Sequence, residues 1–216
     1  MNNMEYKTIS LADQVFERLE ADILMGKYQR GEIITELALS SELGVSRTPV
    51  REAMKRLIQE HLIEESGKGT VVLGLTRKDF EDMCAIRLRI ESLAVRGFIE
   101  RMNEDSLREL KEAIDLQEFY LLKNDKDHLK TMDGRFHETI YNRCGSMMLR
   151  DTLAPLHRKL QKFRRLSIEH EGRAEKSVRE HREMYEAMAA GDADLAEKLM
   201  NEHIYNAMSI IIDKES

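Results

Sequence analysis

The sequence has no tryptophan, only two cysteines and only two prolines, and its glycines become sparse after Gly74. Two cysteines, Cys84 and Cys144, are too few for the disulfide framework of a small secreted domain, so we expect reduced thiols and a cytoplasmic protein. Because prolines and glycines interrupt helices, their scarcity favours long helices in the second part of the chain.

Long apolar runs are also missing. No segment approaches the roughly 18 apolar residues that a membrane span requires. The first ten residues, MNNMEYKTIS, have neither the basic start nor the apolar stretch of a signal peptide. We therefore expect no membrane partner. The 216 residues, 42% apolar and 34% charged, suffice for two compact domains.

Excess positive charge is absent overall, since the net charge is −6. This value argues against a general nucleic-acid binder. Locally the balance differs: residues 45–58 (VSRTPVREAMKRLI) carry four basic side chains and one acidic side chain. The positive charge is therefore concentrated in one stretch of helix length.

Apolar spacing in residues 1–75 predicts helices over about 9–26, 36–43 and 47–60, with a glycine turn at Gly44. Ser46 is a plausible N-cap for the third helix. Two short β-branched runs around Gly67 and Gly69 then predict a hairpin within 64–73. This order of elements is that of a winged helix-turn-helix, which binds DNA.

The third predicted helix has two faces. Val50, Met54 and Leu57 repeat at helical spacing and face inward, which leaves a polar face on the opposite side. That outward face consists of Arg47, Thr48, Arg51 and Lys55. Arginine can bond guanine bidentately, and threonine can bond phosphate or base edges. The alternative is a solvated basic face in an ordinary helical hairpin, but the adjoining wing favours DNA recognition.

Residues 76–216 predict an all-α domain, so the fold class is mainly α. The spacing indicates six helices, which lie over about 77–102, 104–124, 127–143, 146–169, 174–190 and 192–212. Asp79, Asp105, Ser146 and Asp192 stand where helix caps or first-turn acids belong.

Four side chains of this domain form a candidate metal site. Asp133 and His137 share one helix face at i and i+4, while His181 and His203 lie among apolar residues of two other helices. One carboxylate and three imidazoles are suitable ligands for a transition metal in a bundle core. From spacing alone the signal is weak, and scattered polar helix residues are the favoured explanation.

The stretch GVSRTPVREAMKRL, preceded by ITELALSSELG and followed by GKGTVV, resembles the signature of the GntR family of winged-helix repressors. The resemblance implies operator contacts from Ser46, Arg47, Thr48 and Arg51, and a close approach of the wing at Gly69. One departure is Leu37, where some relatives carry an arginine that touches DNA.

Residues 77–212 resemble the FCD effector domain of one GntR branch, in its shorter six-helix form. The matching segments include MDGRFHETIY and EHREMYEAMAAGDADLAEKLM. The resemblance implies a divalent metal, zinc, nickel or manganese, on Asp133, His137, His181 and His203. It also implies that Arg87 clamps a small carboxylate effector, although a helix-surface ion pair with Glu91 is the alternative role for Arg87.

These patterns together indicate a transcriptional regulator, in the family's common mode a repressor, that binds a palindromic double-stranded operator as a homodimer. A small organic or sugar acid at the metal would modulate operator binding. Two alternatives stay open: a regulator that senses the metal alone, and, as a weaker reading, a metalloenzyme. No general acid or base at motif spacing supports an enzyme.

Overall fold

The computed structural model describes residues 9–67, 69–160, 163, 167–168 and 170–214. The chain divides into two compact units, Met1–Thr76 and Arg77–Ser216. Each unit has a hydrophobic core of its own.

The first unit contains three helices and a three-stranded antiparallel sheet. In chain order its elements are α1 (Leu11–Leu24), β1 (Ile33–Ile34), α2 (Glu36–Leu43), α3 (Arg47–Gln59), β2 (Ile63–Ser66) and β3 (Gly69–Val72). The strand order is β1-β3-β2. Ile33 pairs with Val71, and Ser66 pairs with Gly69 at the tip of the β2–β3 hairpin. The predicted winged helix-turn-helix is therefore confirmed.

Local sequence explains the ends of α2 and α3. The Thr35 side chain caps α2 by accepting a hydrogen bond from the Ala38 N–H, and Gly44 ends the helix in the left-handed region at φ 67°. Ser46 occupies the N-cap of α3 as predicted, but its hydroxyl makes no capping hydrogen bond. Val50 and Leu57 are fully buried and fix the orientation of α3 within the unit.

The second unit is helical throughout its described residues. Its elements are α4 (Arg77–Arg101), α5 (Glu104–Leu122), α6 (Lys126–Arg143), α7 (Met147–Lys159), α8 (Arg173–Ala189) and α9 (Ala193–Lys214). The mainly-α expectation is confirmed. Helix α5 packs against α6 and α8, while α9 packs against α4 and α8. None of the described helices is long and apolar enough to cross a membrane.

One predicted helix is shorter than expected. The spacing predicted a single helix over 146–169, whereas α7 begins after its N-cap Ser146 and ends at Lys159. Leu160 closes the last turn through its N–H, which donates to the Leu156 carbonyl. Much of 161–169 lies outside the described residues. Periodicity alone cannot locate such an end, since apolar residues continue at helical spacing beyond it.

Candidate functional sites

The exposed face of α3 carries the residues that sequence analysis assigned to DNA recognition. Ser46, Arg47, Thr48, Arg51 and Lys55 are all exposed, and they lie in the first three turns of the helix. Leu37, on α2, is also largely exposed. The first nine residues of α3 therefore present two arginines and a lysine to solvent, as a recognition helix requires.

Two arginines of α3 have protein partners. Arg51 bonds Glu36 through Nε and Nη2, at 2.8 Å from Oε1 and Oε2 respectively. This hydrogen bond lowers the pKa of the Glu36 carboxyl and holds the Arg51 guanidinium in one orientation. Arg56 instead turns toward α1, where it pairs with Asp13 and lies 3.8 Å above the Phe16 ring. Arg56 therefore belongs to the structural frame, and Arg51 is pre-oriented at the surface.

The wing glycine lies against the first strand. Gly69 has φ 133°, a conformation that side chains rarely adopt, and a Cβ at this position would lie 2.9 Å from Ile33 Cγ2. Glycine at position 69 thus lets the start of β3, at the tip of the hairpin, lie close to Ile33 of β1. The neighbouring Lys68 lies outside the described residues.

The second unit brings Asp133, His137, His181 and His203 together. Each offers a ligand atom, these atoms lie within 4.8 Å of one another, and all four residues are buried. Asp133 and His137 come from α6, His181 from α8 and His203 from α9. The sequence prediction that these four residues converge is thus matched by the geometry.

A glutamine fixes the tautomer of His181. Gln117 donates from Nε2 to the Met132 carbonyl at 3.1 Å, which turns its Oε1 toward His181 Nδ1 at 2.6 Å. Because an amide oxygen only accepts, Nδ1 carries the proton of this imidazole. The lone pair of His181 is therefore on Nε2, which faces the cluster.

Glu180 fixes the tautomer of His203. Its Nδ1 donates to Glu180 Oε2 at 2.7 Å, and Glu180 also accepts from Arg173 and Asn206. Burial opposes ionisation of Glu180, but the bond from His203 and the charge of Arg173 hold its pKa below the ordinary value. The carboxylate therefore fixes the His203 proton on Nδ1 and leaves the lone pair on Nε2.

Two imidazole lone pairs consequently face each other across 3.4 Å, between His181 Nε2 and His203 Nε2. Asp133 Oδ1 lies 3.7 Å from the same His181 atom. Electron-rich atoms converge in this way around a cation, and carboxylate- or carbonyl-oriented imidazoles are the usual surroundings of a bound metal. The residues present therefore fit a divalent metal ion.

His137 is kept neutral by its surroundings. Burial, together with the neighbouring His157 and His181, lowers its pKa well below the ordinary value. Its Nδ1 lies 3.8 Å from Glu91 Oε2. Since a metal binds the neutral imidazole, this environment favours His137 as a ligand.

Arg87 pairs with Glu91, and it also lies at the cavity wall. It is buried, lines the cavity beside the cluster, and its Nε donates to Glu91 four residues later. The same Glu91 oxygen accepts from Tyr141 at 2.8 Å. The ion pair is therefore internal and not on the helix surface.

A cavity of about 40 Å³ adjoins the cluster. This space corresponds to about three water molecules. Polar groups lie at the cluster, and Ser167 and Ser177 also line the cavity. Apolar side chains form most of the remaining wall, including Phe80, Leu160, Phe163, Ile168, Met208 and Ile211. Cys84 also lines the cavity, and burial raises the pKa of its thiol to about 11, so that it stays protonated.

Sequence reasoning did not find four polar side chains around the cluster that the structure reveals. They are Gln117, His157, Arg173 and Glu180, all of them buried. Glu180 could have been suspected because it directly precedes His181, but no local signal connects the other three to the site.

A winged helix-turn-helix joined to a helical domain with a buried cluster of one carboxylate and three imidazoles defines a class of DNA-binding regulators. The chain belongs to the GntR family of bacterial regulatory proteins: the gntR family model matches residues 11–72, and the FCD domain model matches residues 82–206. It is thus a DNA-binding transcriptional regulator and, like its relatives, not an enzyme.

Relatives with similar sequences are also regulators. The chain is 28% identical over 192 residues to YdhC of Bacillus subtilis, an uncharacterized HTH-type transcriptional regulator. The aligned region covers 88% of this chain and 86% of that protein. It is 32% identical over 127 residues to the gluconate operon transcriptional repressor of B. subtilis. That aligned region covers 59% of this chain and 52% of the repressor. It is 24% identical to the transcriptional repressor RspR of Escherichia coli, over 88% of this chain and 84% of that one.

Solved structures share the fold. The E. coli protein McbR/YncC matches with a TM-score of 0.82 at 22% identity, over 97% of this chain and 100% of that one. A GntR-type regulator from Rhodococcus matches with a TM-score of 0.72 at 23% identity, over 94% and 97% of the two chains.

Proposed function

We propose that this protein is a cytoplasmic repressor whose operator binding depends on a small carboxylate bound beside a metal ion in the helical domain. Two of its relatives are named as repressors. The observation that carries the effector part is the pair of imidazole nitrogens that face each other at 3.4 Å with their protons turned away.

The proposed DNA contacts come from α3 and the wing. Arg47, Arg51 and Lys55 would supply base and phosphate contacts, Ser46 and Thr48 hydroxyl contacts, and Gly69 a close backbone approach. Glu36 pre-orients the Arg51 guanidinium. A homodimer would place two such helices on a palindrome whose half-sites are separated by about one helical turn.

The proposed metal ligands are Asp133, His137, His181 and His203, with zinc, nickel or manganese as candidates. Arg87 adds a cation at the cavity wall. A ligand shifts an equilibrium only through its differential affinity for two states. The effector must therefore bind the DNA-competent and DNA-incompetent arrangements of the regulator unequally.

A metal sensor without an organic effector is the second candidate. The free volume of about 40 Å³ favours it, because a sugar acid would need side chains to move. The two candidates differ in whether operator affinity follows the metal alone or also requires an acid.

The first experiment selects an operator from random duplex DNA with the purified protein and measures affinity by fluorescence anisotropy. Arg47→Ala should weaken binding by about 1–3 kcal/mol, as expected for loss of a bidentate arginine–base contact. Arg18→Ala, an equally exposed arginine on α1 paired with Asp22, is the control and should bind normally. Equal affinity of both variants for the operator would contradict the assignment of α3.

The same titration is then repeated on chelated protein, on zinc-loaded protein and on zinc-loaded protein with a panel of organic and sugar acids. A change of affinity that needs both zinc and one acid supports the proposed function. A response to zinc alone supports the metal sensor, and an unchanged affinity in every condition contradicts both.

A further inference from the structure

Arg173 is a buried arginine of the helical domain. It begins α8, is only 3% exposed and lines the cavity beside His203. Its Nη1 donates to Glu180 Oε2 at 2.8 Å, so one edge of the guanidinium is committed to the carboxylate that orients His203.

The other edge of the same guanidinium has no acceptor among the described residues. The buried Nε makes no hydrogen bond. Nη2 lies 3.4 Å from His203 Nδ1. That nitrogen already directs its proton to Glu180, so two donors face each other and no hydrogen bond forms between them.

The edge formed by Nε and Nη2 binds carboxylates at two other arginines of this protein. Arg51 uses it for Glu36, with both distances 2.8 Å. Arg182 uses it for Glu118 and Asp115, at 2.9 and 2.8 Å. Two N–H groups in this fork match the two oxygens of a carboxylate. Arg173 lines the cavity and thus has, beside it, a carboxylate-binding edge without a carboxylate.

Arg87 does not offer the same edge. Its Nε is committed to Glu91, whose carboxylate also accepts from Tyr141. Of the two cavity arginines, Arg173 is therefore the one whose Nε does not already pair with a carboxylate.

We propose that Arg173 is a carboxylate-binding residue of the effector cavity, through Nε and Nη2. The proposal rests on the effector-responsive function proposed above. Arg87 then neutralises the charge of Glu91, and Arg173 binds the carboxylate of the ligand.

The charges of the site favour an anion of low charge. With a divalent ion bound, the ion and the two buried arginines outweigh the three buried carboxylates Asp133, Glu91 and Glu180 by one charge. Lys176, whose Nζ lies 4.0 Å from Glu180 Oε1, is half-exposed and its charge is screened by solvent. A monocarboxylate neutralises this excess, and its carbon substituent would adjoin the apolar part of the wall. The ligand class is therefore a small monocarboxylic acid.

Acetate is the probe for this site, because it supplies a carboxylate within the free volume, and acetamide is its neutral match. Acetate is titrated into zinc-loaded full-length protein and followed by saturation-transfer NMR. We expect wild type to bind acetate at least tenfold more tightly than acetamide. Arg173→Lys keeps the positive charge beside Glu180 but lacks the paired Nε and Nη2 donors. It should weaken acetate binding by tenfold or more.

Arg182→Lys is the matched control, since it makes the same exchange on the same helix outside the cavity, and it should bind acetate as wild type does. If Arg173→Lys does not fold, as judged by circular dichroism, the Nε–H resonance of Arg173 in the wild type provides the readout. Acetate should shift that resonance downfield, and acetamide should not.

Two outcomes overturn the assignment of Arg173: undetectable binding of acetate by wild type, or equal binding by wild type and Arg173→Lys. Failure of the proposed function is a different observation, namely that no acid changes operator affinity. Acetate could still bind through Arg173 in that case, so the two results are distinguishable.

Discussion

At the scale of single residues, the chemistry of the helical domain depends on where histidine protons lie. Gln117 and Glu180 each take the Nδ1 proton of one imidazole, at 2.6 and 2.7 Å. These bonds turn the other nitrogen of each ring toward the cluster. The buried polar partners therefore prepare the donors for a cation, as outer-shell partners do in metalloproteins.

Metal affinity should depend strongly on His181. We expect His181→Ala to weaken zinc binding by more than about a hundredfold, since loss of an outer-shell partner alone costs about ten- to hundredfold. Isothermal titration calorimetry checks the affinity. Thermal melting adds a second readout, because zinc at about 100 times its dissociation constant should stabilise wild type by about 2.7 kcal/mol.

His128→Ala is the control for this variant. His128 is an exposed histidine that bonds Asp125 at the start of α6. The control should bind zinc as wild type does. Undiminished zinc-induced stabilisation of His181→Ala would show that the cluster is not the metal site.

At the scale of elements, close packing between helices positions the ligand-bearing segments. Helix α4 carries Arg87 and Glu91, and farther along it approaches the end of α6 at Gly97. A Cβ at this position would lie 2.5 Å from the Cys144 carbonyl oxygen. Glycine at position 97 therefore allows α4 and the end of α6 to approach closely.

Gly97→Ala should destabilise the helical domain. Alanine gains about 1 kcal/mol of helix propensity over glycine. Overpacking of a tight contact costs about 1–3 kcal/mol, and here the obstacle is backbone, which yields less easily than a flexible side chain. We expect net destabilisation, measured as a lower urea midpoint.

Gly67→Ala is the comparison for Gly97→Ala, because a Cβ at that position has no atom within 4 Å. It should leave the urea midpoint nearly unchanged. A Gly97→Ala protein as stable as wild type would mean that α4 and the α6 terminus can separate without cost.

At the scale of the whole molecule, the candidate DNA-reading residues and the candidate metal ligands lie in different compact units. The four candidate ligands and their partners Gln117 and Glu180 all lie within Arg77–Ser216, with a separate hydrophobic core. The candidate DNA-reading residues lie within Met1–Thr76. The net charge of −6 is compatible with DNA binding because the basic side chains are concentrated on α3.

The metal site should therefore be complete without the first unit. We expect a fragment of residues 77–216 to bind zinc with an affinity within about threefold of the full-length value, which corresponds to less than about 0.7 kcal/mol. Calorimetric titration of both proteins under identical buffer conditions checks this expectation. A loss of tenfold or more in the fragment would show that the first unit contributes to the site.

The sequence alone determined the mainly-α fold, the winged helix-turn-helix and the outward face of Arg47, Thr48, Arg51 and Lys55. These features follow from local periodicity and from caps and turns a few residues apart. Resemblance to FCD domains, added to the i, i+4 spacing of Asp133 and His137, singled out the four candidate ligands.

Only the tertiary structure decided what surrounds those ligands. Gln117 meets His181 across 64 positions of the sequence, and Arg173 meets His203 across 30. Such contacts depend on how helices pack, which the apolar pattern of each helix leaves open. The tertiary structure also decided three further features: the end of α7 at Lys159, the internal pairing of Arg87 with Glu91, and the open edge of Arg173. They depend on contacts between segments distant in the chain or on the closing of a single turn.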